Sequence, residues 1–354
     1  MQFEELLVSE DISILQAMEK LDKCAKKILL VEKKRELLGT ITDGDIRRWI
    51  LKNGDLDKDV KEIMTTSPIT LSVSRCHEAH ELMRKKKIDA IPIIDENNKI
   101  ISVSFLNMKE EIELKKKCDN PVVIMAGGKG TRLYPYTKIL PKPLIPIGDI
   151  PIVERVINNF KEYGCRSFYM SVNHKKNMIM SYFNDLDKDY EIIYVEEDRP
   201  LGTGGSLSLL KERLLDTFFV SNCDTLINAD YTDILRHHKE QKNKMTIVVS
   251  LRETVIPYGV IKVNDEGSMK SAIEKPSYSH LVNTGMYVIE PDLLKLIPSN
   301  MLYNLPDLAQ ECVKIEEKVG VYPVSQGSWL DMGQLEEMDN MLNQLGITIE
   351  GERL

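Results

Sequence analysis

A glycine-rich turn with two cations behind it is the part of this chain whose residue types most directly suggest chemistry. The turn reads AGGKGTRL over residues 126–133 and follows the apolar run VVIM at residues 122–125, which predicts a buried strand of a parallel sheet. Glycines there let the backbone approach a ligand and turn amide N–H groups toward phosphate. Arg132 offers a fixed-charge fork for phosphate oxygens, and Lys142 adds a second cation on a proline-stiffened loop. Residues 121–154 therefore predict a site that holds a nucleoside triphosphate.

Two other nucleotide-binding motifs begin in a similar way. The dinucleotide fingerprint needs a helix that starts at once, with a third small residue packed against the strand. Here Leu133 takes the third position and Pro135 interrupts the next turn. The phosphate loop that ends in Gly-Lys-Ser/Thr also fails, because Lys129 is followed by Gly130. A plain tight turn would explain the glycines but not the two cations, so the triphosphate interpretation is favoured.

Apolar and helical segments alternate downstream of the turn. Helical periodicity begins at Ile152 and ends at Gly164, and strand candidates span residues 167–172, 191–195 and 217–221. Strands that alternate with helices predict a doubly wound, mostly parallel α/β sheet with its ligand at the carboxyl ends of the strands. Chemistry-bearing residues should therefore follow each strand.

The motif GGKGTRL followed by PKPLIPI resembles the signature of the sugar-1-phosphate nucleotidyltransferases, the nucleoside-diphosphate-sugar pyrophosphorylases. The resemblance extends from about Pro121 to the C-terminus and implies a Rossmann-like catalytic domain over residues 121–354. It implies that a phosphate oxygen of a sugar 1-phosphate attacks the α-phosphorus of a nucleoside triphosphate and that pyrophosphate leaves. In that reaction Arg132 would bind the leaving pyrophosphate, and Lys142 would stabilise charge on the α-phosphoryl group.

The resemblance also implies a nucleotide-binding set, made up of Ala126, Gly127, Gly128, Gly130, Thr131, Glu197, Gly202 and Thr203. Many uridylyl- and thymidylyl-transferring relatives carry Gln at the position of Glu197. A carboxylate only accepts hydrogen bonds, which suits the two adjacent donors of guanine. We therefore expect GTP as the nucleotide, while UTP, CTP or dTTP stays open. Alternatively, Glu197 is one of three surface acids in an acidic loop.

Two aspartates are implied to hold Mg²⁺. Asp224 follows the strand candidate at residues 217–221, and Asp331 lies in the segment WLDMG. Mg²⁺ commonly takes one or two carboxylates together with water and phosphate oxygens. Relatives usually have Gly directly before the first aspartate, where this chain has Cys223. A strand-end aspartate that caps a helix is the alternative.

Three further segments resemble the sugar-phosphate half of the family's site. They contribute Tyr258, Gly259, Glu274, Lys275, Asn283, Thr284 and Gly285. The resemblance implies that Lys275 binds the sugar phosphate, that Glu274 accepts hydrogen bonds from sugar hydroxyls, and that the glycines allow close backbone approach. Considered alone, Glu274 and Lys275 would be a solvated ion pair.

The first third of the chain contains an internal repeat at an offset of 62 residues, which places Ala17 on Ala79 and Val31 on Ile93. Each copy predicts an amphipathic helix, two strands and a polar turn that opens a helix. This resembles a small α+β tandem pair of cystathionine-β-synthase-type (CBS) domains over residues 1–115, with a linker at residues 116–120.

Such pairs commonly bind nucleotides, which implies a regulatory ligand on two pairs of residues, Thr42 with Asp45 and Ser104 with Asn107. The family expects an aspartate where this chain has Asn107, so the second site departs from the pattern. Alternatively, Thr42 and Asp45 only cap the helix predicted from Ile46.

Composition limits the partners. The chain has 354 residues and a formal net charge of −8, which argues against a nucleic-acid polymer. No signal peptide and no membrane span are visible, and six cysteines without regular spacing suggest reduced thiols, so we expect a cytoplasmic protein with no membrane partner. We also expect a homo-oligomer.

A CBS pair fused to this kind of transferase resembles bacterial enzymes that make activated sugars for surface glycans. The chain resembles glucosamine-1-phosphate or mannose-1-phosphate guanylyltransferases in this respect, although the residues do not identify the sugar. A nucleotide-sensing regulatory protein with an inactive transferase half is the alternative from another functional class.

Overall fold

Two small sheets form the first third of the chain in this computed structural model, which describes residues 3–24, 28–106, 118–345 and 347. The elements of the first copy are β1 (Leu7–Ser9), α1 (Ile14–Cys24), β2 (Ile28–Lys33), β3 (Glu36–Thr42) and α2 (Asp43–Leu51). Those of the second are β4 (Leu71–Ser72), α3 (Ala79–Lys86), β5 (Ala90–Ile94) and β6 (Ile100–Phe105).

The predicted repeat is confirmed in the pairing of these strands. In the first copy β1 runs parallel to β2 and β2 antiparallel to β3, and β4, β5 and β6 repeat that pattern. Ala17 and Ala79, which the 62-residue offset superimposes, are both fully buried. Leu30 of the first copy and Ala90 and Ile100 of the second belong to one apolar cluster, so the two copies bury each other's faces.

A larger sheet follows. Its strands and neighbouring elements are β7 (Val122–Met125), β8 (Pro146–Ile147), β9 (Ile150–Pro151), α4 (Ile152–Glu162), β10 (Ser167–Val172), α5 (Lys176–Asn184), β11 (Glu191–Glu196), α6 (Gly202–Gly205), β12 (Phe218–Asn222), β13 (Thr225–Ile227), α7 (Tyr231–Glu240), β14 (Met245–Val255), β15 (Val260–Val263), β16 (Met269–Ile273), β17 (Ser277–Ile289), α8 (Leu305–Lys314), β18 (Val319–Val324), β19 (Trp329–Asp331) and α9 (Leu335–Gln344).

Seven of these strands form the central sheet, in the order β11-β10-β7-β12-β17-β14-β18. Strand β7 pairs in parallel with β10 and with β12, whereas β17 is antiparallel to both β12 and β14. The predicted doubly wound, mostly parallel sheet is confirmed. Sequence reasoning gave no strand candidate after residue 221, so it foresaw neither β14 and β18 nor the antiparallel β17 between β12 and β14. The three predicted strands are observed within one residue of their expected bounds.

The core lies on both sides of this sheet. In β7, Val122 and Ile124 pack with the cluster around α4, while Val123 packs with the cluster on the opposite side around α8. A strand buried on both faces reads as a continuous apolar run, which is why residues 122–125 contain no polar side chain. As a result, the carboxyl ends of β7, β10, β11 and β12 open together at one edge of the sheet.

In the part of the chain that the structure describes, no helix is long and apolar enough to cross a membrane. All six cysteines are free thiols. The predicted linker, residues 116–120, begins outside the described residues, so the predicted domain boundaries stay a prediction.

Candidate nucleotide and metal site

The glycine turn packs directly on the segment that carries Lys142. Gly130 has a φ of 64°, and a Cβ built on it would lie 2.8 Å from the Cβ of Lys142. The hydroxyl of Thr137 donates to the carbonyl of Gly130 at 3.0 Å, which closes the turn. Glycine is required at this position both by the left-handed backbone and by the close approach. The turn thereby brings the two cation-bearing segments together.

A cleft of about 420 Å³ opens at this edge of the sheet. The predicted residues that line it are Gly127, Gly128, Gly130, Thr131, Arg132, Lys142, Glu197, Gly202, Thr203 and Asp224. Ala126 lies behind the turn instead, because it is buried and its N–H donates to the carbonyl of Ser171 at 2.9 Å. The cleft therefore gathers residues from four different strand ends.

Sequence reasoning missed several cleft-lining residues, which include Met125, Ser171, Pro200, Asn222, Leu302 and Asn304. Ser171 and Asn222 lie at the carboxyl ends of β10 and β12, so the rule that ligands bind at strand ends could have found them. Leu302 and Asn304 come from the loop before α8, whose local sequence carries no comparable signal.

Lys142 and Asp224 form a largely buried ion pair in the cleft, with 14% and 7% of their side chains exposed. Burial alone would lower the pKa of Lys142, but the neighbouring Asp224 carboxylate outweighs it and raises that pKa above its ordinary value. The Lys142 side chain is therefore a cation at neutral pH. In this structure it serves as the partner of the Asp224 carboxylate.

Asp331 lies beside Asp224 although it follows Asp224 by 107 residues in the sequence. Strand β19 pairs with β13, which starts directly after Asp224, and this pairing sets Asp331 opposite Thr225. The N–H of Met332 also donates to the carbonyl of Asp224 at 3.0 Å. Burial and the charge of Asp224 raise the pKa of Asp331 to about 6, while Lys142 and Arg132 counteract that rise. Two cations and two carboxylates thus form one charged cluster.

The two carboxylates suit a divalent cation that binds together with a nucleotide. Among the described residues, no group of three or more His, Cys, Asp or Glu side chains could hold a metal ion. The described residues therefore do not supply a full set of protein ligands for a metal ion, but Mg²⁺ usually completes its coordination with water and phosphate oxygens. Burial and the neighbouring Asp224 charge both raise the pKa of Asp331, and a dication bound beside these carboxylates would favour the ionised form of Asp331.

Glu197 is buried, with 7% of its surface exposed. One carboxylate oxygen accepts from the Ser171 hydroxyl, and the other accepts from the Leu201 N–H at 2.9 Å. A Cβ built on Gly127 would lie 2.9 Å from the first of these oxygens, so the glycine turn runs past the carboxylate. Glu197 is thus a fixed acceptor in the cleft wall, whereas its neighbour Glu196 is exposed.

The predicted sugar-phosphate residues divide into two groups. Gly285, with a φ of 85°, lies against Asn222 of the cleft, and buried Thr284 donates to the carbonyl of Val248 at 2.8 Å. Asn283 belongs to the same group, since its side-chain oxygen accepts a hydrogen bond from the Gly285 N–H at 2.9 Å.

The second group lies around the β15–β16 hairpin. A Cβ on Gly259 would lie 2.8 Å from a carboxylate oxygen of Glu274, so these two residues are adjacent. Tyr258, Gly259, Glu274 and Lys275 do not line the cleft, and Tyr258 is 74% exposed. The structure therefore does not bring this group to the charged cluster.

The predicted CBS ligand residues form a helix cap. One Asp45 oxygen accepts from the Thr42 N–H at 2.8 Å and from the Thr42 hydroxyl at 2.6 Å, and Arg48 pairs with the other oxygen. Helix α2 begins at Asp43, three residues before the predicted start. Ser104 is half-buried on β6, and Asn107 lies outside the described residues. The capping role is observed, and ligand binding stays a prediction.

The fold and the charged cleft together define an α/β protein with a candidate phosphate-binding site at the carboxyl ends of its parallel strands. The family model for the nucleotidyl transferases matches residues 121–345, and the chain belongs to that family. The model for the CBS domain matches residues 1–52 and 60–103.

Several proteins are similar to this chain. A UTP–glucose-1-phosphate uridylyltransferase of Synechocystis is 32% identical over 236 residues, which cover 61% of this chain and 60% of the relative. A probable mannose-1-phosphate guanylyltransferase 1 of Oryza sativa subsp. japonica is 30% identical over 224 residues, with 60% of this chain and 61% of the relative covered. The mannose-1-phosphate guanylyltransferase catalytic subunit beta of Drosophila melanogaster is 31% identical over 232 residues, with 61% and 62% covered.

The chain thus spans about 60% of the length of these curated relatives. Among solved structures, HddC from Yersinia pseudotuberculosis matches with a TM-score of 0.49 and 23% identity, over 64% of this chain and 99% of that one.

Proposed function

We propose that this chain transfers GMP from GTP to a hexose or hexosamine 1-phosphate in a magnesium-dependent reaction that releases pyrophosphate. The observation that carries the proposal is the convergence of Arg132, Lys142, Asp224 and Asp331 around one cleft behind a glycine turn. Relatives named as mannose-1-phosphate guanylyltransferases and a uridylyltransferase support the reaction class.

The chemistry needs positioning and positive charge more than a protein nucleophile. The attacking phosphate of the sugar is already ionised, so the in-line displacement at the α-phosphorus requires no enzyme base. Lys142, held cationic beside Asp224, would move onto the α-phosphoryl oxygens, and Arg132 would take the departing pyrophosphate. Mg²⁺ held by Asp224 and Asp331 would supply additional positive charge at the phosphate oxygens.

The direct test is a matrix of nucleotides against sugar 1-phosphates. GTP, UTP, CTP and dTTP are each combined with mannose, glucose and glucosamine 1-phosphates, and pyrophosphate release is measured with Mg²⁺ present. We expect GTP to give the highest kcat/KM with at least one acceptor. A consistent preference for UTP or dTTP would reject the guanylyl assignment, and no turnover in any combination would reject the transferase proposal.

Glu197 is proposed to accept hydrogen bonds from guanine. On this proposal, replacing it with Gln would put an amide donor opposite the guanine N–H groups, so the ratio of kcat/KM for GTP to that for UTP should fall about tenfold or more. The matched control is Glu196→Gln, which changes an exposed neighbour that pairs with Lys176. An unchanged ratio in Glu197→Gln would show that this carboxylate stabilises its loop and does not bind the nucleobase.

The N-terminal pair is proposed to be a regulatory nucleotide-binding module over residues 1–115, joined to the catalytic part in a homo-oligomer. The repeat itself supports this proposal, since each copy presents the same three-stranded sheet. Activity of the full chain, measured with and without added AMP, ADP or ATP, tests it. Rates that do not respond to any of them would contradict a regulatory role.

A further inference from the structure

Arg47 of helix α2, in the first CBS copy, contacts residues of the nucleotidyl transferase domain at residues 121–345. Its guanidinium donates from Nη1 to Oδ2 of Asp233 at 2.6 Å and from Nε to the carbonyl of Pro323 at 3.3 Å. The same guanidinium lies 4.3 Å from the ring centroid of Tyr322. Only Arg combines a planar fork with stacking on an aromatic face, so this contact depends on that residue type.

The partners of Arg47 are themselves held in place. The Tyr322 hydroxyl donates at 2.7 Å to the same Asp233 oxygen, and Tyr322 is 1% exposed. Both members of the Arg47–Asp233 pair are largely buried, at 22% and 18% exposure of their side chains. Arg47 therefore links the CBS copy to β18 by two contacts, at Tyr322 and Pro323, and to α7 by a third, at Asp233.

Two further contacts extend this attachment. Asp22, at the end of α1, accepts through Oδ2 from the Gly327 N–H at 3.1 Å. Leu251 of β14 is 5% exposed and belongs to the apolar cluster of the first CBS copy, with Val8 and Ile14. The CBS copy thus contacts the chain at Pro323, near the end of β18, and again at Gly327, within the turn that joins β18 to β19.

That turn leads straight to Asp331. Strand β19 begins at Trp329, two residues after Gly327, and the carbonyl of Ser328 accepts from the Asn228 N–H at 2.8 Å. The pairing of β19 with β13 then sets Asp331 beside Asp224. The position of the second carboxylate is therefore determined by a segment with the CBS copy on one side and β13 on the other.

We propose that Arg47 and Asp22 are positioning residues for Asp331, so that the first CBS copy is a structural component of the metal site. This rests on the proposed function, because it concerns the geometry of the carboxylate pair toward the nucleotide-bound dication. Residues that hold metal ligands in place commonly alter metal affinity by about tenfold or more when they are changed.

The readout is the gain in GTP affinity that Mn²⁺ confers, measured by calorimetry on the full chain without sugar phosphate. GTP is titrated once in EDTA and once in excess Mn²⁺, and the ratio of the two dissociation constants is the metal-dependent gain. In Arg47→Met we expect the metal-free constant to stay within about twofold while the gain falls about tenfold.

The matched control is Arg236→Met. Arg236 pairs with the other oxygen of Asp233 but lies in α7 and is 58% exposed. Its replacement should leave the gain unchanged. A double variant decides whether Arg47 acts through Asp331: in an Asp331→Asn background, Arg47→Met should add no further loss beyond about twofold.

A gain in Arg47→Met equal to that of Arg236→Met would overturn the inference. If Arg47→Met does not fold, Asp22→Ala decides, because it removes the acceptor of the Gly327 N–H, with a reduced gain supporting the inference and an unchanged gain overturning it. A wild-type chain that binds GTP but gains nothing from Mn²⁺ would overturn the metal assignment and the inference with it. Failure of the inference alone leaves the wild-type gain intact, so the two failures are distinguishable.

Discussion

Replacing Asp224 with Asn is expected to lower the rate of nucleotidyl transfer by about 10²- to 10³-fold, the loss typical of removing one preorganised electrostatic group. The carboxylate is buried, pairs with Lys142 and stands beside Asp331. An amide of the same shape leaves the Lys142 cation without its counter-charge and leaves the proposed metal site one carboxylate. Because the substitution conserves volume, the circular dichroism spectrum should not change.

Pyrophosphate release at saturating GTP and sugar phosphate, repeated over a range of Mg²⁺ concentrations, measures this effect. Asp230→Asn is the matched control, since Asp230 caps helix α7 by accepting from the Thr232 and Asp233 N–H groups. Asparagine also caps helices well, so that variant should keep its activity. Asp224→Asn turning over like Asp230→Asn would contradict the site.

Replacing Arg132 with Ala is expected to reduce turnover about 10³-fold, the lower end of what a transition-state arginine contributes to phosphoryl transfer. Arg132 lines the cleft and is exposed, so its removal should cost little stability. Arg132→Lys should recover only part of the loss, because an ammonium keeps the charge but lacks the bidentate fork.

The proposed role of Arg132 also predicts how its removal affects the reverse reaction. In pyrophosphorolysis of a GDP-sugar, Arg132→Ala should raise the KM for pyrophosphate more than the KM for the sugar nucleotide. Lys129→Ala is the control, because it removes a cation from the same turn that does not line the cleft. Near-normal forward rates in Arg132→Ala would contradict its assignment to the leaving group.

Much of the fold could be predicted from the sequence because its signals are local. The apolar run at Val122–Met125 and the helix that begins at Ile152 follow from patterns within short windows, and the repeat follows from comparing the sequence with itself at an offset of 62 residues. The cap formed by Thr42 and Asp45 is local as well, since its partners are three residues apart. Strand β17 was missed because its antiparallel position between β12 and β14 depends on distant partners.

The site was predictable in part for the same reason. Glycine, Arg and Lys in one stretch indicate phosphate binding, but only a family template could relate Asp331 to Asp224. Buried Glu197 accepts a hydrogen bond from Ser171 on a neighbouring strand, a contact that no local pattern reveals. The distance between the β15–β16 hairpin and the cleft also depends on tertiary packing. Arg47 stands on an ordinary amphipathic helix and gave no signal.

The ion pair between Lys142 and Asp224 has a consequence for the order in which substrates enter. Without a nucleotide, a free dication would compete with the Lys142 ammonium group for the Asp224 carboxylate. If the dication displaced the ammonium group, that group would remain buried without an anionic partner. An incoming triphosphate changes the balance, since its oxygens offer Lys142 a new anionic partner. On the proposed function, magnesium would therefore enter as its nucleotide complex, and Lys142 and Asp224 would neutralise each other whenever no nucleotide is bound.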